Sequence, residues 1–251
     1  MLKKRIIPKL LLSSGRNVKG RQFVDLRDVG QPVTNARIYD AQGVDELIFL
    51  DISASLENRQ ILYDVIARTA EEVFMPFCVG GGVRTVEDVR KLLLAGADKV
   101  SVNTAAVDTP ELISEGARLF GAQCMVVSID VRRDEHGQPT VWTHGGTVPT
   151  SLDPVAHATR AVERGAGEIL LTSIDRDGTM EGYDLELTRT MADAVTVPLI
   201  ASGGAGTLQH LREAFEQGHA SAVAVGSLFH FTDQSPIKAR AFLSVSGVEV
   251  R

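Results

Sequence analysis

Nothing in this sequence limits its fold more than an alternation, repeated eight times, of a short β-branched apolar run with a longer amphipathic segment. The strand-like runs occupy residues 5–11, 47–51, 75–79, 99–103, 125–130, 168–172, 198–202 and 222–226. Between them, apolar residues recurring near every 3.6 positions predict helices near 33–42, 59–73, 85–94, 110–120, 153–164, 184–194, 207–216 and 236–244. Pro110 and Pro236 suit a first helical turn, and Gly43, Gly96, Gly121, Gly165 and Gly218 suit C-terminal stops. Repeated β-then-α units build parallel sheets. Eight units in 251 residues fit a closed (β/α)8 TIM barrel, which runs to about 250 residues, better than an open doubly wound sheet, which usually has fewer units. No linker or low-complexity stretch divides the chain, so residues 1–251 read as one barrel domain.

An internal repeat supports closure. Gly43-Val44-Asp45-Glu46-Leu47-Ile48 aligns with Gly165-Ala166-Gly167-Glu168-Ile169-Leu170 at an offset of 122 residues. The same offset places Pro76 on Pro198, Gly81-Gly82 on Gly203-Gly204, Thr85 on Thr207, Arg90 on Arg212 and Gly96 on Gly218. Glycine recurs by chance in turns between strand and helix, but chance does not hold one offset over this span. The chain reads as two half-barrels of four units each.

Composition excludes several classes. With 44% hydrophobic and 23% charged residues, the chain is neither disordered, collagenous nor membrane-spanning. A net charge of −6 gives no basic field for nucleic acid. Lys3, Lys4 and Arg5 before an apolar stretch imitate a secretory signal, but Pro8 and Lys9 interrupt it. The segment reads as a first strand and the protein as cytoplasmic. Cys78 and Cys124 have no neighbouring Cys or His at ligand spacing and read as reduced thiols buried in strands. No metal or cofactor is expected.

Glycine-rich turns carry the first chemical signal. Gly80-Gly81-Gly82 precedes a helix opening at Thr85, and Gly203-Gly204-Ala205-Gly206 precedes one opening at Thr207. Glycines there let backbone N–H groups approach an anion, although tight packing explains a single such turn equally well. Asn103-Thr104 and Val225-Gly226-Ser227 would complete the two cradles from the following strands. Two cradles across one barrel mouth imply an elongated ligand with a phosphate at each end. Residues 13–31 read as a long loop of the lid type, from which Lys19 could reach a phosphate or a developing negative charge, or simply be solvated. Three carboxylates fall at strand ends, where barrel chemistry resides: Asp51, Asp130 and Asp177. Each is a candidate acid or base, or else a helix cap or ion-pair partner. Asp130 is best placed, ending strand five opposite strand one. Strand one should supply its mate and supplies Leu11.

These residues together resemble the HisF family, the cyclase subunits of imidazole glycerol phosphate synthase. The resemblance spans nearly the whole chain. It rests on Arg5-Ile6-Ile7-Pro8, Val18-Lys19-Gly20, Asp45-Glu46-Leu47, Phe49-Leu50-Asp51-Ile52 and Gly80-Gly81-Gly82-Val83-Arg84. It continues through Ala97-Asp98-Lys99-Val100-Ser101, Thr143-His144-Gly145-Gly146, residues 165–173, Asp175-Arg176-Asp177-Gly178 and residues 201–206. The resemblance implies a lyase whose barrel takes ammonia from a HisH-like glutaminase at its N-terminal face and uses it on a bis-phosphorylated ribulosyl substrate. By that resemblance Arg5, Glu46, Lys99 and Glu168 form the ammonia gate, and Asp98 and Gln123 face the glutaminase. Gly81, Gly82, Asn103 and Thr104 would hold one phosphate; Asp177, Gly178, Gly203, Gly204, Gly226 and Ser227 would hold the other. Asp130 would be the strand-five acid or base. The residues agree on one point independently: the four gate positions fall at strand starts, and their charges sum to zero, as a buried ring requires.

The chain departs from the family where Leu11 replaces its principal catalytic aspartate and Lys9 replaces a cysteine. Leucine moves no protons, so ordinary cyclase activity should fall by orders of magnitude unless another group substitutes. Lys9 shares a strand face with Arg5 and Leu11 and should enter the barrel. There it must pair with a carboxylate, Asp51 or Asp130, or lose basicity by desolvation. A paired lysine would anchor the core or narrow the ammonia path, which is the favoured role; a desolvated one could act as a base. Leu10-Leu11-Leu12 also resembles a HisF-like branch linked to acetamidino modification of surface sugars, in which the barrel passes ammonia to a separate sugar amidotransferase. Three readings follow: a paralogue of that branch, a working histidine-pathway cyclase, or a catalytically silent partner that activates a glutaminase.

Overall fold

The computed structural model describes residues 3–54, 57 and 63–251. All eight apolar runs form strands: β1 (Arg5–Ser13), β2 (Leu47–Asp51), β3 (Phe77–Gly80), β4 (Lys99–Val102), β5 (Met125–Arg133), β6 (Glu168–Ser173), β7 (Leu199–Ser202) and β8 (Ala222–Val225). They pair in parallel in the order β6-β7-β8-β1-β2-β3-β4-β5, and β5 pairs with β6 to close the ring. The fold is a closed (β/α)8 barrel. Around it lie α1 (Pro32–Ala41), α2 (Tyr63–Glu72), α3 (Val86–Leu94), α4 (Glu111–Phe120), α5 (Pro154–Glu163), α6 (Leu185–Ala194), α7 (Leu208–Glu216) and α8 (Pro236–Val245). The expected helix at 59–73 is seen from Tyr63; residues 59–62 lie outside the described ones.

Strand alternation sorts the side chains. Leu10 and Leu12 of β1 point outward and join the large core between sheet and helices. Ile7 points inward and packs with Ile48, Cys78, Val126, Leu170 and Ile200 in a separate apolar layer across the middle of the barrel. The period-two rule thus assigns Arg5, Lys9 and Leu11 to the lumen as well.

The half-repeat is visible in backbone conformation. Gly81 and Gly203 have φ of +99° and +95°. Thr85 and Thr207 both cap a helix with the side-chain oxygen, accepting from the N–H of Asp88 and His210, each worth about 1 kcal/mol. Asn103 and Gly226 each open a short helix with nearly identical dihedrals, −119°/−83° and −119°/−80°.

Three expectations are corrected. Residues 13–31 are no plain loop: Arg16–Arg21 and Val24–Gly30 form an antiparallel hairpin that extends β1 through Leu11↔Val18 pairing. The chain also carries strands at Pro139–Thr143 and Val148–Pro149, paired onto the upper end of β5. Asp130 therefore sits within β5 rather than at its end. Cys78 is buried in β3, but Cys124 lies in a 3-10 turn (Ala122–Cys124) and is only partly covered.

Gly43, Gly96, Gly121 and Gly165 adopt left-handed conformations after their helices, whereas beyond α7 that conformation falls to His219 (φ 55°) rather than Gly218. Gly96 is doubly constrained, with φ of +105° and a Cβ position already occupied by the Ala70 methyl. Gly96→Ala should cost about 2–3 kcal/mol, read as a lower urea midpoint with unchanged slope.

Candidate functional site

The N-terminal end of the lumen holds a closed ring of charge. Arg5 reaches Glu46 at 2.7 Å and Glu168 at 2.8 Å, and Lys99 reaches the same two carboxylates at 2.9 Å each. All four side chains are largely shielded from water. Burial works against the charges of Arg5 and Lys99, but the two carboxylates together outweigh it and raise both pKa values. Removing one member would leave one uncompensated charge in a poorly solvated ring, a change that typically costs about 3–5 kcal/mol. Beside the ring, Asp98 accepts from the Phe77 N–H at 3.0 Å, and Gln123 packs against Gly121.

At the C-terminal mouth the two cradles differ. The first opens into a cleft of about 530 Å³ bordered by Gly81, Gly82, Asn103, Thr104, Asp130 and His144. Gly81 is required there, because a Cβ would run into the Asp51 backbone. Asn103 Nδ2 donates to Ser128 O at 3.0 Å and to Asp130 Oδ2 at 3.2 Å. Thr104 Oγ1 accepts from the His144 N–H at 3.0 Å, fastening the Thr143–Gly146 turn to the rim. The Ser101 hydroxyl borders the same cleft, buried and without a hydrogen-bond partner among the described residues.

The second cradle is filled by the protein itself. Lys19 lies against Gly226 and donates to both Asp177 oxygens, at 2.9 and 2.8 Å. Gly178, Gly203, Gly204, Gly226 and Ser227 surround it, leaving a niche of only about 10 Å³. The hairpin that carries Lys19 is tied down further. The Gln22 N–H donates to Asp177 O at 2.7 Å and its amide to Asp175 O at 2.8 Å. Its tip is strained: Gln22, Phe23 and Asp25 have φ of 50°, 68° and 54°, a conformation seldom adopted without glycine. His230 faces Lys19; burial first, then that cation, pushes its pKa down to about 4.

Between the cradles lies a chamber of about 140 Å³, lined by Lys9, Leu11, Phe23, Leu50, Asp130 and Thr172 among others. The expected partnership of Lys9 with Asp51 or Asp130 is not formed. Lys9 is 3% exposed, and its partner among the described residues is the Ser202 hydroxyl at 2.6 Å. Burial lowers its pKa, with Lys19 adding to the effect and Asp177 and Asp130 opposing it. Asp51 instead turns aside to the Ala54 N–H at 3.1 Å. Burial pushes Asp130 up to about 7, against the pull of Lys9 and a Thr172 hydrogen bond and with that of Asp177.

Asp130 and Asp177 both line the chamber; Asp177 is held by Lys19, and Asp130, pushed up to about 7, can exchange a proton near neutrality. Ser202, Ser101, Thr172 and Phe23 were not singled out from the sequence. The signal for Ser202 and Thr172 was available, since each is a polar residue on the inward face of an apolar strand. Residues 5–235 match the family described as "Histidine biosynthesis protein". Among the described residues no helix is long and apolar enough to cross a membrane.

The Asp130 environment has a consequence for stability. The folded chain keeps this proton up to about pH 7, whereas an unfolded chain releases it near pH 4. The group therefore favours folding below pH 4, and that contribution is lost as pH rises through about 7. Asp130→Asn should remove the slope: its stability relative to the parent should rise between pH 4 and pH 7 by on the order of 4 kcal/mol. Urea unfolding across that range measures it, and a pH-independent difference would show that Asp130 ionises normally.

Proposed function

The chain belongs to the histidine biosynthesis protein family of synthase- and isomerase-type barrels, and on that premise we propose that it is a HisF-like synthase subunit of a glutamine amidotransferase. In this reading a HisH-like glutaminase docks at the N-terminal face, where Asp98 and Gln123 lie, and releases ammonia into the lumen. The observation that supports it best is the ring of Arg5, Glu46, Lys99 and Glu168. A sugar-phosphate isomerase has no use for four mutually compensated charges at the end of the barrel away from its substrate. A gate for a small molecule does. Above the ring, ammonia would cross the apolar layer around Ile7 and Leu170 to reach the chamber.

A bis-phosphorylated ligand fits the mouth in outline. One phosphate would be held by Gly81, Gly82, Asn103 and Thr104, whose cleft is open. The other would be held by Gly178, Gly203, Gly204, Gly226 and Ser227 once Lys19 gives way; Lys19 would then be free to pair with that phosphate. What the chamber lacks is a carboxylate on β1. Leu11 is buried there, and Asp130 is left without a partner acid for two-group proton transfer. This absence favours a paralogue that delivers ammonia onward to a sugar amidotransferase in acetamidino modification of surface sugars. The second reading, a working cyclase, is favoured by the open first cleft and by the near-neutral pKa of Asp130, well matched to acid–base work. A catalytically silent glutaminase activator is the third.

One series of assays separates them. The purified barrel is given the formimino ribulotide with ammonium, and then with glutamine and a candidate glutaminase. The expected result is stimulated glutamine hydrolysis with cyclisation depressed at least 10²-fold relative to Leu11→Asp, in line with the loss of one acid–base group. Rapid cyclisation by the unaltered chain would overturn the paralogue reading, and no effect on any glutaminase would overturn the amidotransferase reading.

A further inference from the structure

Lys9 serves neither the charge ring nor, in the reading above, the phosphates. It stands where two spaces meet. It borders the niche of the second cradle together with Lys19, Gly203 and Gly226, and it borders the central chamber together with Leu11, Leu50 and Asp130. The groups facing it are the Ser202 hydroxyl, at 2.6 Å, and the charges of Asp130, Asp177 and Lys19. Burial and a neighbouring cation both favour the neutral amine, and a neutral lysine amine attacks carbonyl carbon. Leu11 and Leu50 line the chamber with hydrocarbon, which opposes the hydrolysis of any imine formed there.

We propose that Lys9 forms a Schiff base with a short sugar phosphate, its phosphate in the second cradle once Lys19 gives way, as in the reading above, and its carbonyl carbon in the central chamber. The chamber, about 140 Å³, has room for roughly four water-sized groups, which is enough for a three-carbon chain, and a longer chain continues into the first cleft. The chemistry balances without oxidant or reductant. Lys9 Nζ bonds to the carbonyl carbon while the carbonyl π pair moves to oxygen. Asp130 relays the two amine protons to that oxygen, one at addition and one at departure. The C–O bond then breaks, water leaves, and nitrogen holds the carbon as an imine. Asp130, part-buried at the chamber wall and able to exchange a proton near neutrality, ends as it began. Leu11 is no defect for this step, which needs one proton relay rather than two carboxylates.

The test uses the full chain with dihydroxyacetone phosphate or ribulose 5-phosphate and borohydride, which reduces an imine to a stable secondary amine. A single adduct on Lys9 is expected on peptide mapping, its mass that of the ligand less one oxygen atom. Excess inorganic phosphate should suppress it at least 10-fold by occupying the cradle. Lys9→Met should abolish it, and Asp130→Asn should slow its formation about 10²-fold without moving the label. Labelling on Lys19, labelling spread over exposed lysines such as Lys238, or no labelling with either sugar would overturn the proposal. If Lys9→Met does not fold, mapping of the parent chain with and without phosphate decides the matter alone. No glutaminase or ammonia enters the experiment, so its failure leaves the amidotransferase reading untouched.

Discussion

Closure of the parallel sheet by the pairing of β5 with β6 is the constraint on which the rest of the molecule depends. A closed sheet has no edges, and it sends every second side chain of eight strands into a lumen with little room for water. Any polar group placed there must find its partners among the other inward residues. At the N-terminal end this succeeds completely, with two cations and two carboxylates each touching both opposites. In the middle the question is avoided by hydrocarbon and one thiol, whose pKa burial pushes well up. At the mouth it succeeds only in part. Lys9 and Asp130 both lie in the lumen, yet the lysine is bonded to a hydroxyl and the acid to an amide. The result is a base made weaker and an acid made weaker by burial in one chamber.

Much of this was legible from residue order. The eight strands stood out because they are short, apolar and bounded by glycine, and the direction of Lys9 followed from its being two residues from Leu11. The hairpin after β1 was not legible, because Val24–Gly30 is largely exposed and so lacks the buried face that gives a strand its alternating pattern. The strands at Pro139–Thr143 and Val148–Pro149 are too short for a pattern to emerge. Partners across the barrel were illegible for a different reason. Lys9 meets Ser202 and Lys19 meets Asp177 because closure of the barrel brings together segments far apart in the chain, and no local spacing encodes that. Leu11 was the opposite case, a single position whose meaning came from what was missing at it.

The two half-barrels show how far a repeat constrains function. Their backbones agree closely at the cradles, down to the dihedrals of Asn103 and Gly226. Their occupancy differs, because the hairpin continuing β1 brings Lys19 into the second cradle. One cradle stands open beside Asp130, while the other is stoppered by Lys19. Symmetry in the chain thus fixes where the glycine-rich turns stand, and a single insertion decides which of them is open.

That insertion is continuous with the wall it covers. Leu11↔Val18 and Ser13↔Arg16 pairing makes the hairpin a prolongation of β1, folded back at Ser14 and Gly15. Lys9 and Lys19, the two lysines that converge on the second cradle, therefore ride on one ribbon. Lifting Lys19 away means either peeling Val18 from Leu11 or twisting the upper end of β1, and the second motion turns Lys9 as well. The covering of the mouth and the lysine beneath it form a lever with two arms.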